Sequence, residues 1–486
     1  MNINFRSVLK LLGTIFLLVA LLMLVPTAIA VADGERDSFR AFVITISIML
    51  VLSAAVLIPL SRKKEDLIIG PKESYLFVTL VWVFISFFGA LPLYLCKTYP
   101  SFAGCYFEIM SGFTTTGATC LDDIESVSRS ILFWRNMTNW IGGMGIVVLF
   151  VAILPAFGAK GTALVGAESV GPTKDKLTPK IRHTALALWL IYLGLSLLQT
   201  LLLLLGGLDL FNAMTVTFGT MGAAGFSPTN YSISSYHSTY VEWICTIFMF
   251  LSGANFALYF RALKGQVRKA FSDGEFRLYF RIVLVSSLAI AINLFVKTGI
   301  QASTAIRQGF FHVISFITTT GFFSTDVSAW PMFSQLVLFL LSFVGGCAGS
   351  ASGGVKVIRI ATIVKVGTSS IKKRLHPNCV TSIKIGDDTY SSEVVSSICG
   401  FLGLYLITFF LGAAVISLSG QSVLVCLSTS ILTLGNIGLG IGGIGTEYSF
   451  SIFPDWTLYF FSFLMLVGRL ELFTVYSLFT RDFWQS

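Results

Sequence analysis

Thr114-Thr115-Thr116-Gly117, Gly222-Ala223-Ala224-Gly225-Phe226, Thr318-Thr319-Thr320-Gly321-Phe322 and Asn436-Ile437-Gly438-Leu439 decide the fold of this 486-residue chain. Each stretch closes a short amphipathic segment and precedes a long apolar one. Their last glycines lie 108, 96 and 117 positions apart, so one hairpin–loop–helix unit recurs four times. A single Thr-Thr-Thr-Gly reads as a helix end closed by glycine. Four such ends in matching surroundings read as loops converging on one axis, which is how backbone carbonyls form a cation filter.

Composition sets the solvent. The chain is 55% hydrophobic and 12% charged, with a mean hydropathy of +0.83. So few charges do not cover a globular surface, and lipid must cover it instead. Apolar runs of about 20 residues suffice to span a bilayer. Two lie first, at 8–31 and 39–60. Four pairs follow, at 74–96 and 132–155, 183–206 and 239–263, 277–297 and 333–366, and 394–419 and 456–480. The segments between partners, near 102–114, 209–220, 303–317 and 421–434, are too short to cross. They fit half-helices that enter and turn back, with Ser101, Asp209, Ser303 and Ser422 as N-caps.

The expected architecture is an all-α polytopic membrane protein. Four pseudo-repeated helix–pore-helix–filter loop–helix units surround a central pore, plus two extra N-terminal transmembrane helices. The corresponding divisions are 1–65 (two-helix domain), 66–165, 166–272, 273–380 and 381–486 (repeats one to four). Arg6 and Lys10 before Ala28-Ile29-Ala30 resemble a signal peptide, but the apolar stretch is long for one and reads as an anchor helix.

Of the 33 Lys and Arg, 25 fall on one side of these spans, which places both termini in the cytoplasm and the filter loops toward the outside. The net charge of +9 therefore reflects topology, not nucleic-acid binding. Asp122, Asp123, Glu125, Asp326, Glu447 and Asp455 lie just beyond the filters. They either concentrate cations or simply solvate the loops. The eight cysteines show no metal spacing, and Cys96, Cys105 and Cys120 are near enough in sequence to pair. Gly438-Leu439-Gly440-Ile441-Gly442-Gly443 fits G-x-G-x-x-G but lacks the soluble βαβ unit a dinucleotide site needs.

A monovalent cation entering a membrane must exchange its water shell for other oxygens, and carbonyls do this without adding net charge. The candidate ion ligands are Thr115, Thr116 and Gly117; Ala223, Ala224 and Gly225; Thr319, Thr320 and Gly321; and Asn436, Ile437 and Gly438. The C-terminal ends of the half-helices should point at the ion path, where their partial negative charge favours it. The 333–366 segment is too long for one straight crossing. Its Gly345, Gly346, Gly349, Gly353 and Gly354 make either a close-packing face or a break whose loop gates the path. Arg469 sits in mid-span. It either bridges carbonyls between repeats or stands beside the path as an electrostatic barrier, and Lys356 is a second candidate for the barrier role. Glu471 points elsewhere on that helix and could pair across helices. Glu108 is expected to meet a polar partner, His312 to be a satisfied interior histidine, and Trp140–Gly145 to bend or pack tightly.

The quoted loops, the glycine-rich 345–354 stretch and Gly468-Arg469 together resemble the Trk/Ktr/HKT superfamily of potassium transporters, most closely its TrkH-type uptake subunits. The two extra N-terminal spans fit that type. The resemblance implies potassium uptake across the bacterial cytoplasmic (inner) membrane, a homodimer, and a cytosolic TrkA-type nucleotide-binding ring acting on the 345–354 gate. It also implies a rate-setting Arg469. Four intact filter glycines favour potassium over sodium. Ala223 and Leu439 depart from the family's frequent asparagine and proline without removing a carbonyl. Potassium is the only ligand expected, with no organic cofactor. The main alternative is an alternating-access symporter coupling potassium to protons or sodium, but such folds use inverted repeats, whereas these four share one orientation. No hydrolase or nucleotide-binding motif supports an enzyme.

Overall fold

The computed structural model describes residues 3–61, 70–145, 181–379, 382–386, 388–440 and 449–485. The sequence-based boundaries at 65, 165 and 380, the 146–155 end of one span, Gly442, Gly443 and Glu447 lie outside them, as do Arg62, Lys63, Lys64, Lys160, Lys174, Lys176 and Lys180.

Six described helices are long and apolar enough to cross a membrane, and a bent pair makes a seventh. Their outward faces carry bare aliphatic and aromatic side chains such as Leu197, Leu205, Ile292, Val296, Phe410 and Leu411. Water would not tolerate such a surface, whereas lipid does. The N-terminal pair, Phe5–Ala32 with a one-residue interruption at Met23 and Arg36–Ser61, packs on Pro71–Leu95. Ser53 Oγ donates to the Gly13 carbonyl at 2.7 Å, where Gly13 leaves the helices close.

The short segments fold as helices Phe102–Phe113, Leu210–Gly222, Ala302–Ile317 and Val423–Gly435. Three begin as the sequence suggests: Ser101, Asp209 and Ser422 each accept a backbone N–H from the first turn. The third differs. Gln301 is its N-cap, without a side-chain bond, and Ser303 lies inside the helix.

Two spans read as continuous are broken. Thr239–Ser252 and Phe256–Leu263 meet at 91°. The carbonyls of Ser252 and Gly253 leave the helix to accept Ala351 N–H and Cys347 N–H, and Asn255 Oδ1 caps the next helix. Arg129–Gly143 ends at its glycine pair, and Asp455–Arg469 ends at the arginine, followed by the short Phe473–Ser477 and Arg481–Trp484. The break expected in 333–366 is present. Met332–Val344 and Val357–Leu375 flank a non-helical loop. A small hairpin, Ile383–Ile385 against Asp388–Tyr390, follows and packs Ile385 on Ala348 and Ile358 beside that loop. All eight cysteines, including Cys96, Cys105 and Cys120, are free thiols.

Candidate functional site

All four short helices end alike. The amides of Thr116, Ala224, Thr320 and Ile437 reach back five residues to the carbonyls of Ser111, Gly219, Ser315 and Leu432, at 2.8, 3.0, 2.9 and 2.8 Å. The residue before each is left-handed: Thr115, Ala223, Thr319 and Asn436, with φ of 57°, 53°, 59° and 54°. This is the Schellman closure, which normally places glycine at the left-handed position. Here the glycine comes two residues later, so the helix is closed by a strained residue, not by the glycine the sequence suggests. A β-branched threonine there costs of order 1–3 kcal/mol. Gly117, Gly225 and Gly321 have φ of 77°, 68° and 78°, while Gly438 lies outside that region. Along a strand, uniform φ turns successive carbonyls to opposite sides. Alternating signs turn them to one side.

The loops meet in a closed ring. A Cβ on Gly117 would land on the Ala224 carbonyl oxygen, and one on Gly225 on that of Thr320. On Gly321 it would lie 2.9 Å from Gly438 N, and on Gly438 2.6 Å from the Gly117 oxygen. Each glycine thus touches the next loop in chain order, and the fourth returns to the first. The residues beside the glycines are enclosed by protein, while Gly117 and Gly225 themselves are only partly buried. Thr115, Thr116, Ala223, Ala224, Thr319, Thr320, Asn436 and Ile437 are all fully buried.

Around the ring, backbone groups are satisfied from behind. Glu108, nine residues before Gly117, accepts Cys120 N–H at 3.0 Å, three residues after it. His312 stands at the same offset from Gly321 and takes Ser324 N–H on Nε2 at 3.4 Å, with Nδ1 on the Gln308 carbonyl at 3.0 Å. The second loop has Val216 and Pro228 at these positions. Proline has no N–H, so no acceptor is needed and an apolar residue serves. Glu108 also pairs with Arg135, Nε to Oε1 at 2.6 Å, with side chains 0% and 1% exposed.

Beneath the ring, the ends of the longer helices form a second circuit. Gly143 packs on Gly222, Gly253 on Thr318, and Gly353 against the Gly435 carbonyl. Arg469 closes it, donating from Nη2 to Gly142 and Gly143 oxygens at 2.5 and 3.2 Å and from Nη1 to Ala351 at 3.0 Å. The carbonyl-bridging reading of Arg469 therefore holds, and one of its partners lies in the intramembrane loop. That loop carries positive φ at Gly345, Gly349, Gly354 and Lys356. Gly353 N–H donates to Thr319 Oγ1 at 2.6 Å and Gly354 N–H to the Gly435 carbonyl at 3.0 Å. Gly346 N–H donates to Ser352 Oγ, and Glu275 Oε1 accepts Ala348 N–H at 2.8 Å and Ile358 N–H at 3.2 Å. Lys356 is buried and its ammonium bonds Ser352 inside the loop.

A family profile described as TrkH, cation transport protein, matches residues 40–485. The chain belongs to the TrkH family. Among curated relatives, the Trk system potassium uptake protein TrkH of Escherichia coli (strain K12) is 36% identical over 492 residues, covering 99% of this chain and 100% of that protein. The Trk system potassium uptake protein TrkI of Halomonas elongata is 32% identical over 485 residues, covering 99% and 98%. The crystal structure of the potassium transporter TrkH from Vibrio parahaemolyticus superposes with a TM-score of 0.88 at 33% identity, over 99% of this chain and 100% of that one. Membership in this TrkH family places the chain among multi-pass membrane transport proteins, not enzymes.

In this TrkH-family chain, all twelve loop residues singled out from sequence stand in or beside the ring, and the five loop glycines lie in the break beneath it. Glu471 pairs across helices with Arg359 at 2.6 Å. Arg135 was not singled out from sequence. The signal that marks it is an arginine facing a membrane-depth glutamate with no other partner in sequence reach. Beyond the ring, Asp122 accepts Ser451 Oγ at 2.8 Å, and Asn230 donates to Asp123 at 3.0 Å. The Asn230 amide holds the exposed Asp123 carboxyl below its ordinary range.

Proposed function

We propose that this chain is a potassium-uptake pore of the bacterial cytoplasmic membrane. Four pseudo-equivalent units, each a helix, pore helix, filter loop and helix, surround one path, and the two N-terminal helices flank them. The observation that carries the reading is the closed glycine ring, because four backbone loops in mutual contact leave only carbonyl oxygens to face a shared centre. Thr115–Gly117, Ala223–Gly225, Thr319–Gly321 and Asn436–Gly438 replace the ion's water. The left-handed closures turn their carbonyls to one side, and the four helix C-termini add partial negative charge. Relatives named as potassium uptake proteins support potassium as the cargo.

Ions enter from outside, with both termini cytoplasmic. The 345–354 loop is the gate, and Arg469, which holds it to the first repeat's helix end, sets the barrier beneath the filter. The loop's hydrogen bonds to Thr319 and Gly435 support this, because moving the loop must break them. The working assembly is a homodimer with a cytosolic TrkA-type nucleotide-binding ring.

Restored growth of an uptake-deficient bacterium at low potassium tests the cargo. Rubidium flux into proteoliposomes tests the mechanism. Flux that follows the electrochemical gradient without a fixed proton or sodium ratio supports a channel. A fixed ratio makes the chain a symporter instead.

A further inference from the structure

We propose that Arg135 is a positioning residue for ion discrimination, a charged strut that fixes the separation of the first and second loops. The inference rests on the pore reading and deepens it.

One guanidinium holds three things. Its Nε meets Glu108 Oε1 at 2.6 Å, its Nη1 donates to the Ser227 carbonyl at 3.0 Å, and its central carbon stands 3.6 Å over the Phe226 ring. Glu108 Oε2 in turn accepts Cys120 N–H at 3.0 Å. Cys120 follows the first filter glycine by three residues, and Phe226 and Ser227 follow the second by one and two. The chain of contacts therefore runs from the first loop through Glu108 and Arg135 to the second, behind the point where Gly117 touches Ala224.

Other junctions are joined differently. Between the second and third loops, Ser232 Oγ accepts Phe323 N–H at 3.4 Å. Between the fourth and first, Asn436 Nδ2 donates to Thr116 Oγ1 at 3.0 Å. These are neutral bonds. Among the described residues, only the first junction carries an ion pair that is buried on both sides. Charge-assisted bonds are shorter and stronger than neutral ones, and the fork and the cation–π contact fix orientation as well as distance. Discrimination between potassium and the smaller sodium requires that opposing carbonyls not close further inward. A strut that holds two adjacent loops at one spacing supplies that resistance. Lysine would keep the charge but lose the fork, since its ammonium is a point donor.

The test uses the full chain reconstituted in phosphatidylethanolamine–phosphatidylglycerol vesicles, with the potassium-to-sodium permeability ratio read from biionic potentials. That ratio does not depend on how much protein inserts. Arg135→Lys, the double variant Glu108→Gln/Arg135→Met, and Phe226→Leu are compared with the parent. The ratio is expected to fall roughly tenfold in the first two, as for loss of a charge-assisted bond, and less in Phe226→Leu. Conduction continues in all three. A double variant with the parent ratio would show that the pair only balances buried charge, and the proposal fails. Variants that lose flux altogether also overturn it, because a missing strut makes the filter leaky rather than dead. If the parent itself shows no potassium-selective flux, the pore reading is what fails.

Discussion

The first and third glycine loops brace themselves, whereas the second and fourth are braced by others. In the first, Thr114 and Thr116 hydroxyls bond at 2.9 Å, and Ser111 Oγ donates to the Ala118 carbonyl at 2.7 Å. In the third, Thr318 and Thr320 repeat the first bond at 2.8 Å, and Ser315 and Phe322 the second at 2.7 Å. The second loop has Gly219, Gly222 and Ala224 at the corresponding positions and no such hydroxyls. The fourth uses Asn436, whose amide donates outward to Thr116 of the first loop and to the Met465 carbonyl, both at 3.0 Å. Yet all four backbones close with the same five-residue hydrogen bond and the same left-handed residue. One backbone shape is thus reached by two routes. Alternate loops are stiff, and each soft loop lies between two stiff ones.

The most severe test of this comparison removes what all four share. Gly117→Ala and Gly225→Ala each push a methyl onto a neighbour's carbonyl oxygen, whether the loop is stiff or soft. Both should abolish rubidium uptake per molecule in the membrane, and uptake surviving in the soft-loop variant would break the equivalence.

A smaller effect separates the stiff loops from each other. Glu108→Ala leaves the Arg135 charge buried without its counter-ion, at a cost of about 3–5 kcal/mol. His312→Ala removes a neutral acceptor of the corresponding N–H, at about 1–3 kcal/mol. Thermal unfolding in detergent should rank them in that order.

Thr319→Val sharpens the comparison further. Thr319 Oγ1 accepts Gly353 N–H from the intramembrane loop, while its counterpart Thr115 Oγ1 is buried with no partner among the described residues. The variant loses one buried hydrogen bond, worth about 1 kcal/mol, and should raise basal flux several-fold by loosening the loop. Unchanged flux would detach the loop from the filter.

The smallest effect falls on the soft pair. Ala223→Gly relieves a left-handed alanine and should stabilise by up to about 1 kcal/mol, read as a higher melting temperature. Asn436→Gly relieves the same strain but gives up two hydrogen bonds, and should destabilise.

Much of this was legible beforehand. The spans, the half-helices and the four loops follow from apolar run length and glycine position, and most predicted edges fall within a few residues of the helices found, although the helix read to 366 runs to Leu375 and the one read to 480 stops at Arg469. The 345–354 break was legible because a helix that long overshoots the bilayer. The breaks at Gly253 and Arg469 were not. Each arises because helix-end groups are engaged elsewhere: Ser252 and Gly253 carbonyls by loop amides, and the Arg469 guanidinium by the Gly142 and Gly143 carbonyls. Apolar periodicity carries no trace of such bonds. Ser303 failed as a cap because composition at a helix start allows several positions, and the backbone selected Gln301.

By itself the sequence determined the solvent, the number of loops and the residues at their tips, since hydropathy and glycine act locally along the chain. It also contains the match of Val216 with Pro228, an apolar residue where no N–H needs an acceptor. Only the tertiary structure decided that Thr115, Ala223, Thr319 and Asn436, not the glycines, close the helices, and that Arg135, paired with Glu108, reaches the second loop. Those outcomes depend on partners about a hundred residues away in some cases. A buried charge or carbonyl must be satisfied by whatever the fold brings within reach.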